Sequence, residues 1–235
     1  MKNIKRISKF IIELLLFCII IFSLYMIIKW FINTNSNRKI IEEVNSRIDI
    51  EDIHDGKSNI DFNYLLKINS DTVGYLSIDN TDINYPVVRT TDNNYYLNHS
   101  FDKTKNVAGW IFMDSNNKDI KTDKNTVIYG HNMKDGSMFG KLKLLKKNNS
   151  NTIYYYDSSN KYEYRVFSIY EINEEDYYIN TVFNSDKDYL KFIQTIAKRS
   201  MYDYEFDIDV NDNIITLSTC TSGSKRLVVH AYRVN

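Results

Sequence analysis

The thiol of Cys220 is the group in this sequence best suited to nucleophilic chemistry. It ends the apolar alternating segment Thr216–Cys220, and Arg226 follows six residues later. The other cysteine, Cys18, lies inside a hydrophobic N-terminal stretch. If the C-terminal part of the chain lies outside the membrane, Cys220 has no disulfide partner there, and an unpaired thiol in an oxidising compartment is open to cross-linking and oxidation. Retention of this thiol therefore favours a catalytic function.

A nucleophilic thiol needs a base or a charge partner, and acyl transfer needs a group that stabilises the oxyanion. For the base, His131 lies after a glycine at a predicted strand end, whereas His230 lies within the last predicted strand on the same face as Arg226. A turn position favours His131, but spacing alone leaves both histidines open. The remaining two, His54 and His99, lie in polar segments.

Each of these residues also has an ordinary structural interpretation. A lone cysteine is most often a small buried hydrophobic residue. An arginine at the start of a strand is most often a solvated edge charge, and a Gly-His pair is most often only a turn. The residue pattern by itself therefore leaves a structural role for Cys220 open beside a catalytic one.

The elements that must position these side chains are predicted to be β-strands. From about residue 61 the chain consists of short runs rich in aromatic and β-branched residues, separated by polar turns, which predicts a β-barrel or a β-sandwich. The eight predicted strands are Thr72–Ile78, Ile83–Val88, Gly109–Met113, Thr126–Tyr129, Thr152–Tyr156, Tyr162–Tyr170, Ile214–Thr219 and Arg226–Val234. One helix, at Ser185–Ser200, is predicted between the sixth and seventh strands, with Ser185 or Asp186 as its N-cap.

The N-terminal segment is predicted to be a membrane anchor. Phe10–Ile32 is apolar and long enough to cross a bilayer at a rise of about 1.5 Å per residue. The basic residues before it favour a cytoplasmic N-terminus. No small-residue cleavage site follows it, so we expect an uncleaved signal anchor with the C-terminal domain extracellular.

The predicted organisation has four parts. A cytoplasmic tail spans residues 1–9 and a transmembrane signal anchor spans residues 10–32. Residues 33–60 form a linker with a short amphipathic helix, in which apolar side chains recur at helical spacing from Ile40 to Ile48. Residues 61–235 form the catalytic domain. The formal net charge is zero and no basic block lies beyond the anchor flank, so nucleic acid is a poor candidate partner.

Three motifs, in this order along the chain, resemble those of class B sortases. Tyr129-Gly130-His131 matches the histidine turn of the family, Thr216-Leu217-Ser218-Thr219-Cys220 matches its Thr-Leu-x-Thr-Cys motif, and Lys225–Val229 matches its arginine strand. The resemblance extends over about residues 61–235 and includes Asn84–Val87 and Asp92–Asn98.

This resemblance implies a sortase-like eight-stranded β-barrel with an N-terminal helix and one long helix before the cysteine strand. It also implies a cysteine transpeptidase of Gram-positive cell surfaces, which cuts a C-terminal sorting signal after Thr and passes the acyl group to a peptidoglycan amine. Cys220 would be the nucleophile, His131 the general acid and base, and Arg226 the oxyanion-stabilising or substrate-orienting cation. The implied substrate-binding residues are Asn93, Leu97, Tyr129, Tyr178, Ile179 and Ser218.

The implied partners are secreted proteins with a C-terminal sorting signal, a peptidoglycan cross-bridge amine and the membrane. No metal or cofactor is expected, and the acidic run Glu174–Asp176 lacks the ligand spacing of a calcium loop. Two alternatives remain open. The first is a hydrolytic cysteine protease with the same Cys, His and Arg, and the second is a non-catalytic domain that binds cell-envelope components.

Overall fold

The computed structural model describes residues 2–48, 60–147, 152–173, 175–220 and 225–234, and for residues 2–5, 146–147 and 220 only the backbone is described. Within these ranges, eight strands close into one barrel, and the prediction of a mainly β fold is confirmed. The strands are β1 Thr72–Ile78, β2 Asn84–Val88, β3 Phe112–Met113, β4 Asn125–His131, β5 Thr152–Tyr156, β6 Lys161–Asn173, β7 Ile214–Cys220 and β8 Lys225–Arg233. The helices are α1 Lys2–Asn45, α2 Phe62–Ile68 and α3 Asp186–Lys198, and 3₁₀ turns occupy Tyr95–Leu97, Leu142–Lys147 and Tyr177–Ile179.

The order of strands around the barrel is β1-β2-β3-β4-β7-β8-β6-β5. β4 and β7 are adjacent and parallel, so the chain between them must cross over, and it does so through β5, β6 and α3. β8 pairs antiparallel with β7 on one side and with β6 on the other. The strand that ends at Cys220 therefore lies between the strand of His131 and the strand of Arg226.

Strand alternation divides the apolar side chains between two cores. Leu217, Val229 and Ala231 fill the inside of the barrel. The opposite face of β6, β7 and β8 packs against α3 through a second core, whose buried residues are Phe167, Tyr170, Tyr178, Tyr189, Phe192, Ile193, Ile196, Ile214 and Val228. Ser185 caps α3, because its side chain accepts a hydrogen bond from the Asp188 N–H, as the sequence predicted.

The N-terminal helix is longer than the sequence indicated. We predicted an anchor ending at Ile32 and a separate short helix in the linker, but α1 is continuous from Lys2 to Asn45. Its second half docks on the barrel. The buried Asn37 donates to the Gly109 carbonyl at 3.2 Å, and Val44 joins the barrel core. Tertiary contacts therefore extend the helix past the polar residues at which the hydrophobic pattern ends.

Two other elements differ from the prediction. The first element after residue 60 is the helix α2, where the sequence predicted only short β-like runs. Asp61 is its N-cap, and Leu65 is the one residue that it buries. With only seven residues, its apolar side chains show no helical periodicity. The third strand was predicted to start at Gly109, but β3 is only Phe112–Met113. Gly109 has a φ of 57°, in the left-handed region that a strand residue does not adopt.

Candidate active site

A cavity of about 350 Å³ opens beside the ends of β4, β7 and β8. All six predicted substrate-binding residues line it, together with His131 and Arg226. The full lining comprises Asn93, Asn94, Leu97, Phe112, Tyr129, His131, Glu175, Asp176, Tyr178, Ile179, Ser218 and Arg226. The residues that the sequence analysis missed are Asn94, Phe112, Glu175 and Asp176, two of which are carboxylates at the rim.

The backbone register brings the cysteine and histidine positions together. His131 and Cys220 are the last residues of the parallel strands β4 and β7, and their Cα atoms are register partners. Adjacent strands lie about 4.8 Å apart. The last antiparallel pair of β7 and β8 is Ser218 with Val228, and continuing that register by two residues brings Arg226 opposite Cys220. The side chain of Cys220 itself lies outside the described part of the structure.

The imidazole of His131 is held by the loop that precedes β3. Its Nε2 lies 2.7 Å from the carbonyl oxygen of Leu97, and because a carbonyl only accepts, Nε2 carries a hydrogen. Gly109 packs directly against this ring, since a Cβ at that position would meet His131 Cδ2 at 3.0 Å and the Tyr96 carbonyl at 2.4 Å. The hydrogen bond to Leu97 therefore sets the tautomer of His131, and the close approach of Gly109 restricts the plane of its ring.

Asp114 orients the side chains of two cavity residues through hydrogen bonds. Its carboxylate is buried and accepts hydrogen bonds from Asn93 Nδ2 at 2.9 Å and from the Tyr129 hydroxyl at 2.8 Å, both at Oδ2. Asn93 Oδ1 in turn accepts the Ser115 N–H at 2.8 Å, so the orientation of the Asn93 amide is determined. Asp114 was not predicted from the sequence. An acidic residue directly after a short apolar strand was the available signal.

The cavity wall opposite Asn93 is the segment between β6 and α3. Tyr178, in the 3₁₀ turn of this segment, is buried, and its hydroxyl lies 3.1 Å from Ser218 Oγ on β7. Asn125, at the start of β4, donates to the carbonyls of Tyr178 and Asn180 at 3.4 and 2.9 Å. Side-chain hydrogen bonds therefore attach this wall to the two central strands of the site.

The rival base, His230, does not line the cavity. It is fully buried on the face of β8 that packs against α3, where it lies 2.9 Å from the Tyr170 hydroxyl and 2.8 Å from Thr216 Oγ1. Burial, assisted by the nearby Arg199, lowers the pKa of His230 to about 3. A histidine that stays neutral and closed off from the cavity does not suit proton transfer to a substrate.

Of the other two histidines, only His99 lies in the described part of the structure. His99 stacks on the ring of Tyr95 with centroids 4.0 Å apart, and His54 lies outside the described residues. Glu174, in the acidic run considered for calcium, is outside them as well. Across the described ranges, no group of three or more His, Cys, Asp or Glu side chains is arranged to hold a metal ion.

Comparison with known proteins gives consistent matches. A sortase domain model matches residues 76–234. Sortase B of Staphylococcus aureus is 33% identical over 230 residues, which cover 94% of this chain and 94% of that protein. Sortase B of Listeria monocytogenes is 38% identical over 160 residues, which cover 66% of this chain and 65% of that protein. The chain therefore spans just under two thirds of the Listeria protein in this match.

Solved structures agree with the sequence matches. The crystal structure of sortase B from B. anthracis in complex with AAEK1 has a TM-score of 0.76 at 35% identity, covering 87% of this chain and 99% of that one. A Staphylococcus aureus sortase B–substrate complex has a TM-score of 0.69 at 35% identity, covering 74% and 84%. The structural likeness thus extends over most of the chain.

Proposed function

Because this chain belongs to the sortase family, and within it to the sortase B group of cysteine transpeptidases, we propose that it cleaves a C-terminal sorting signal and joins the protein to a cell-wall amine. The scissile bond is the peptide bond after a threonine, and the acceptor is an amine of the peptidoglycan cross-bridge. The observation that carries the proposal is the register that pairs His131 with Cys220 beside a cavity lined by Arg226.

In the first half of the reaction, the thiolate of Cys220 attacks the threonine carbonyl carbon. The tetrahedral oxyanion forms next to the guanidinium of Arg226, which supplies positive charge without proton transfer. His131, protonated when Cys220 is a thiolate, gives its proton to the departing amine as the peptide bond breaks. The product is a thioester between Cys220 and the protein, and a free C-terminal fragment of the signal.

In the second half, the acceptor amine attacks the thioester carbonyl. His131, now neutral, takes a proton from the attacking nitrogen, and the thiolate of Cys220 leaves as the new amide bond forms. An ordinary cysteine has a pKa near 8.5 and an ordinary histidine near 6.5, so the thiolate–imidazolium pair is scarce unless the site favours it. We therefore expect slow turnover with a marked pH dependence.

The cavity provides the recognition surface for the signal. Asn93, Tyr129 and Ser218 present polar groups, while Leu97 and Ile179 present apolar ones. A cleft with a few fixed polar groups among apolar side chains is suited to an extended peptide whose backbone must be oriented for attack.

The anchor determines where this reaction takes place. Among the described residues, α1 is the one helix long and apolar enough to cross a membrane. We place residues 1–9 in the cytoplasm, residues 10–32 in the membrane and the catalytic domain, residues 61–235, outside the cell. Both the secreted substrate and the peptidoglycan amine are then on the same side as Cys220.

The test uses the full chain in detergent micelles with a peptide library in which one threonine is fixed. Mass spectrometry should find cleavage after threonine, and an added amine should divert the product from acid to amide. Cys220→Ala should abolish cleavage, and His131→Ala or Arg226→Ala should remove most of it. Acid product alone at saturating amine would favour the hydrolytic protease, and cleavage by Cys220→Ala would exclude the proposed mechanism. If wild-type protein cleaves nothing, the non-catalytic envelope-binding alternative is favoured.

A further inference from the structure

The cavity wall from Glu175 to Asn180 is short and belongs to no strand. It supplies four of the lining residues, Glu175, Asp176, Tyr178 and Ile179, yet its only regular structure is the 3₁₀ turn Tyr177–Ile179. A segment with so little backbone pairing must be held in place by side chains. Besides the contact of the Tyr178 hydroxyl with Ser218 Oγ, two points of attachment to residues outside the cavity hold it.

Arg199 forms the first point of attachment. It is the C-cap of α3, and its guanidinium forms an ion pair and hydrogen bond with the carboxylate of Glu175. The guanidinium carbon also lies 5.1 Å from the ring centroid of Tyr177 and 5.7 Å from that of Tyr170, within cation–π range. One side chain thus contacts the wall twice and strand β6 once.

An isolated surface ion pair would contribute little to holding the wall. The Arg199 and Glu175 side chains are only 26% and 33% exposed, however, and the two tyrosine rings restrict the guanidinium from its faces. Charge, hydrogen bonding and ring contacts therefore act together to hold the Arg199 guanidinium against the wall.

Asn125 forms the second point of attachment. Its fully buried amide donates to the carbonyls of Tyr178 and Asn180, and its Oδ1 accepts the hydroxyl hydrogen of Thr216 at 2.6 Å. Because the Nδ2 group donates to these two carbonyls, the amide atom that faces Thr216 is the oxygen, which can only accept. The Thr216 hydroxyl must therefore donate its hydrogen to Asn125.

The two points are linked through the buried His230. Because Thr216 gives its hydrogen to Asn125, His230 Nδ1 must donate to Thr216 Oγ1, and His230 Nε2 must accept from the Tyr170 hydroxyl. The Tyr170 ring in turn lies against the guanidinium of Arg199, whose carbon is 5.7 Å from the ring centroid. A continuous series of contacts therefore connects Glu175 to Tyr178 and Asn180. It consists of the ion pair with Arg199, the cation–π contact with Tyr170 on β6, and hydrogen bonds through β8, β7 and β4. The hydrogen bonds of this series are strengthened by their low-dielectric surroundings when every member is satisfied.

We propose that Arg199 and Asn125 are positioning residues that hold the wall Glu175–Asn180 in the conformation that binds the acyl-donor peptide. The proposal rests on the transpeptidase function above. We expect this series of contacts to affect the affinity for the peptide and not the reactivity of the Cys220 thiol. The reactive groups lie on β4, β7 and β8, which the ladder of the barrel holds independently of Arg199.

The test compares Arg199→Met, Arg199→Lys and a matched control, Lys198→Met, in the full chain in detergent micelles. Lys198 is the exposed neighbour of Arg199 on α3, so its replacement removes the same charge without touching the wall. With the peptide selected from the library, Arg199→Met should raise KM about tenfold with kcat within about twofold of wild type. Arg199→Lys, which keeps the pairing with Glu175 but not the planar contacts, should be intermediate, and Lys198→Met should match wild type.

Two further readouts separate the outcomes. The rate of Cys220 alkylation by iodoacetamide, a reagent that needs no peptide site, should be unchanged in Arg199→Met. Glu175→Gln combined with Arg199→Met should raise KM no more than Arg199→Met alone, because the two residues act as one unit. A wild-type KM in both Arg199 variants, or an equal fall in alkylation and kcat, would overturn the inference while leaving the transpeptidase function in place. Absence of peptide cleavage by wild-type protein would overturn the function and the inference together.

Discussion

At the scale of single residues, the site depends on partners that are distant in sequence. Asp114 accepts hydrogen bonds from Asn93 and Tyr129, which are 21 and 15 residues away. His230 has a similar dependence, because its neutrality follows from burial between Tyr170 and Thr216. The chemical type of each residue is visible in the sequence, but its task is set by what surrounds it after folding.

The burial of neutral His230 predicts a pH-dependent stability. Its pKa is lowered from 6.5 to about 3 in the folded protein, so only the unfolded chain takes up a proton as the pH falls below 6.5. The stabilising contribution is complete above pH 6.5 and is lost towards pH 3, at about 1.4 kcal/mol per pH unit. Between about pH 7 and pH 5, we therefore expect wild type to lose about 2 kcal/mol more than His230→Gln.

Urea unfolding of the full chain in detergent, followed by the fluorescence of the buried Trp110 in a Trp30→Phe background, measures this difference. His230→Gln is expected to be less stable at neutral pH, so the pH slope and not the absolute stability is the readout. Identical slopes for both proteins would contradict the burial of an unprotonated His230.

At the scale of elements, α1 shows how packing extends a helix beyond its sequence pattern. The hydrophobic run ends at Ile32, and the asparagines that follow are poor helix formers. The helix continues to Asn45 because Asn37 is buried against the loop before β3, where it accepts from Ser100 Oγ at 2.5 Å and from Asn106 Nδ2 at 2.8 Å. This same loop carries Gly109, which packs on the His131 ring.

Removal of this contact between α1 and the barrel should lower the stability of the folded protein. Asn37→Ala deletes three hydrogen bonds and leaves the Gly109 carbonyl without its side-chain donor, so we expect a loss of about 1–3 kcal/mol in the free energy of unfolding. Thermal unfolding of the full chain in detergent is the measurement. Lys39→Ala, an exposed position on the same helix, should leave the midpoint unchanged, and equal midpoints for the two variants would show that the docking contact contributes nothing.

At the scale of the whole molecule, one helix combines two environments. Residues from Phe10 to Ile32 include large apolar side chains exposed around the whole circumference, whereas Val44 near the end of the helix is buried in the barrel core. A helix that is apolar on all sides requires a non-aqueous environment. With residues 10–32 in the membrane, as proposed above, the continuous α1 would set the catalytic barrel at a short distance from the bilayer, with no described break in the helix between them.

The proposed orientation predicts opposite labelling at the two ends of the chain. In a background with both cysteines replaced by alanine, Ser159→Cys places a thiol on an exposed turn of the barrel and Ser8→Cys places one in the N-terminal tail. A membrane-impermeant maleimide applied to intact cells should label Ser159→Cys and not Ser8→Cys, and both should react after permeabilisation. Labelling of Ser8→Cys in intact cells would reverse the proposed topology.

Much of the molecule was determined by the sequence alone. The alternating apolar runs predicted all eight strands, with β1 and β5 at their observed ends, because strand periodicity is a local property of the chain. The motif resemblance indicated the residues around the cavity, since those segments are short and contiguous. The helix α2 and the short extent of β3 escaped prediction because seven and two residues are too few to show a period.

Only the tertiary structure decided which histidine lies at the cavity and what holds the cavity in shape. Spacing left His131 and His230 open, and the choice follows from the parallel register of β4 with β7 and from the burial of His230 behind β8. The roles of Asp114, Asn125 and Arg199 likewise arise from contacts across 15 to 91 residues of chain. Such contacts produce no periodic pattern in the amino-acid sequence, because the energy of a hydrogen bond depends on positions in space and not on positions along the chain.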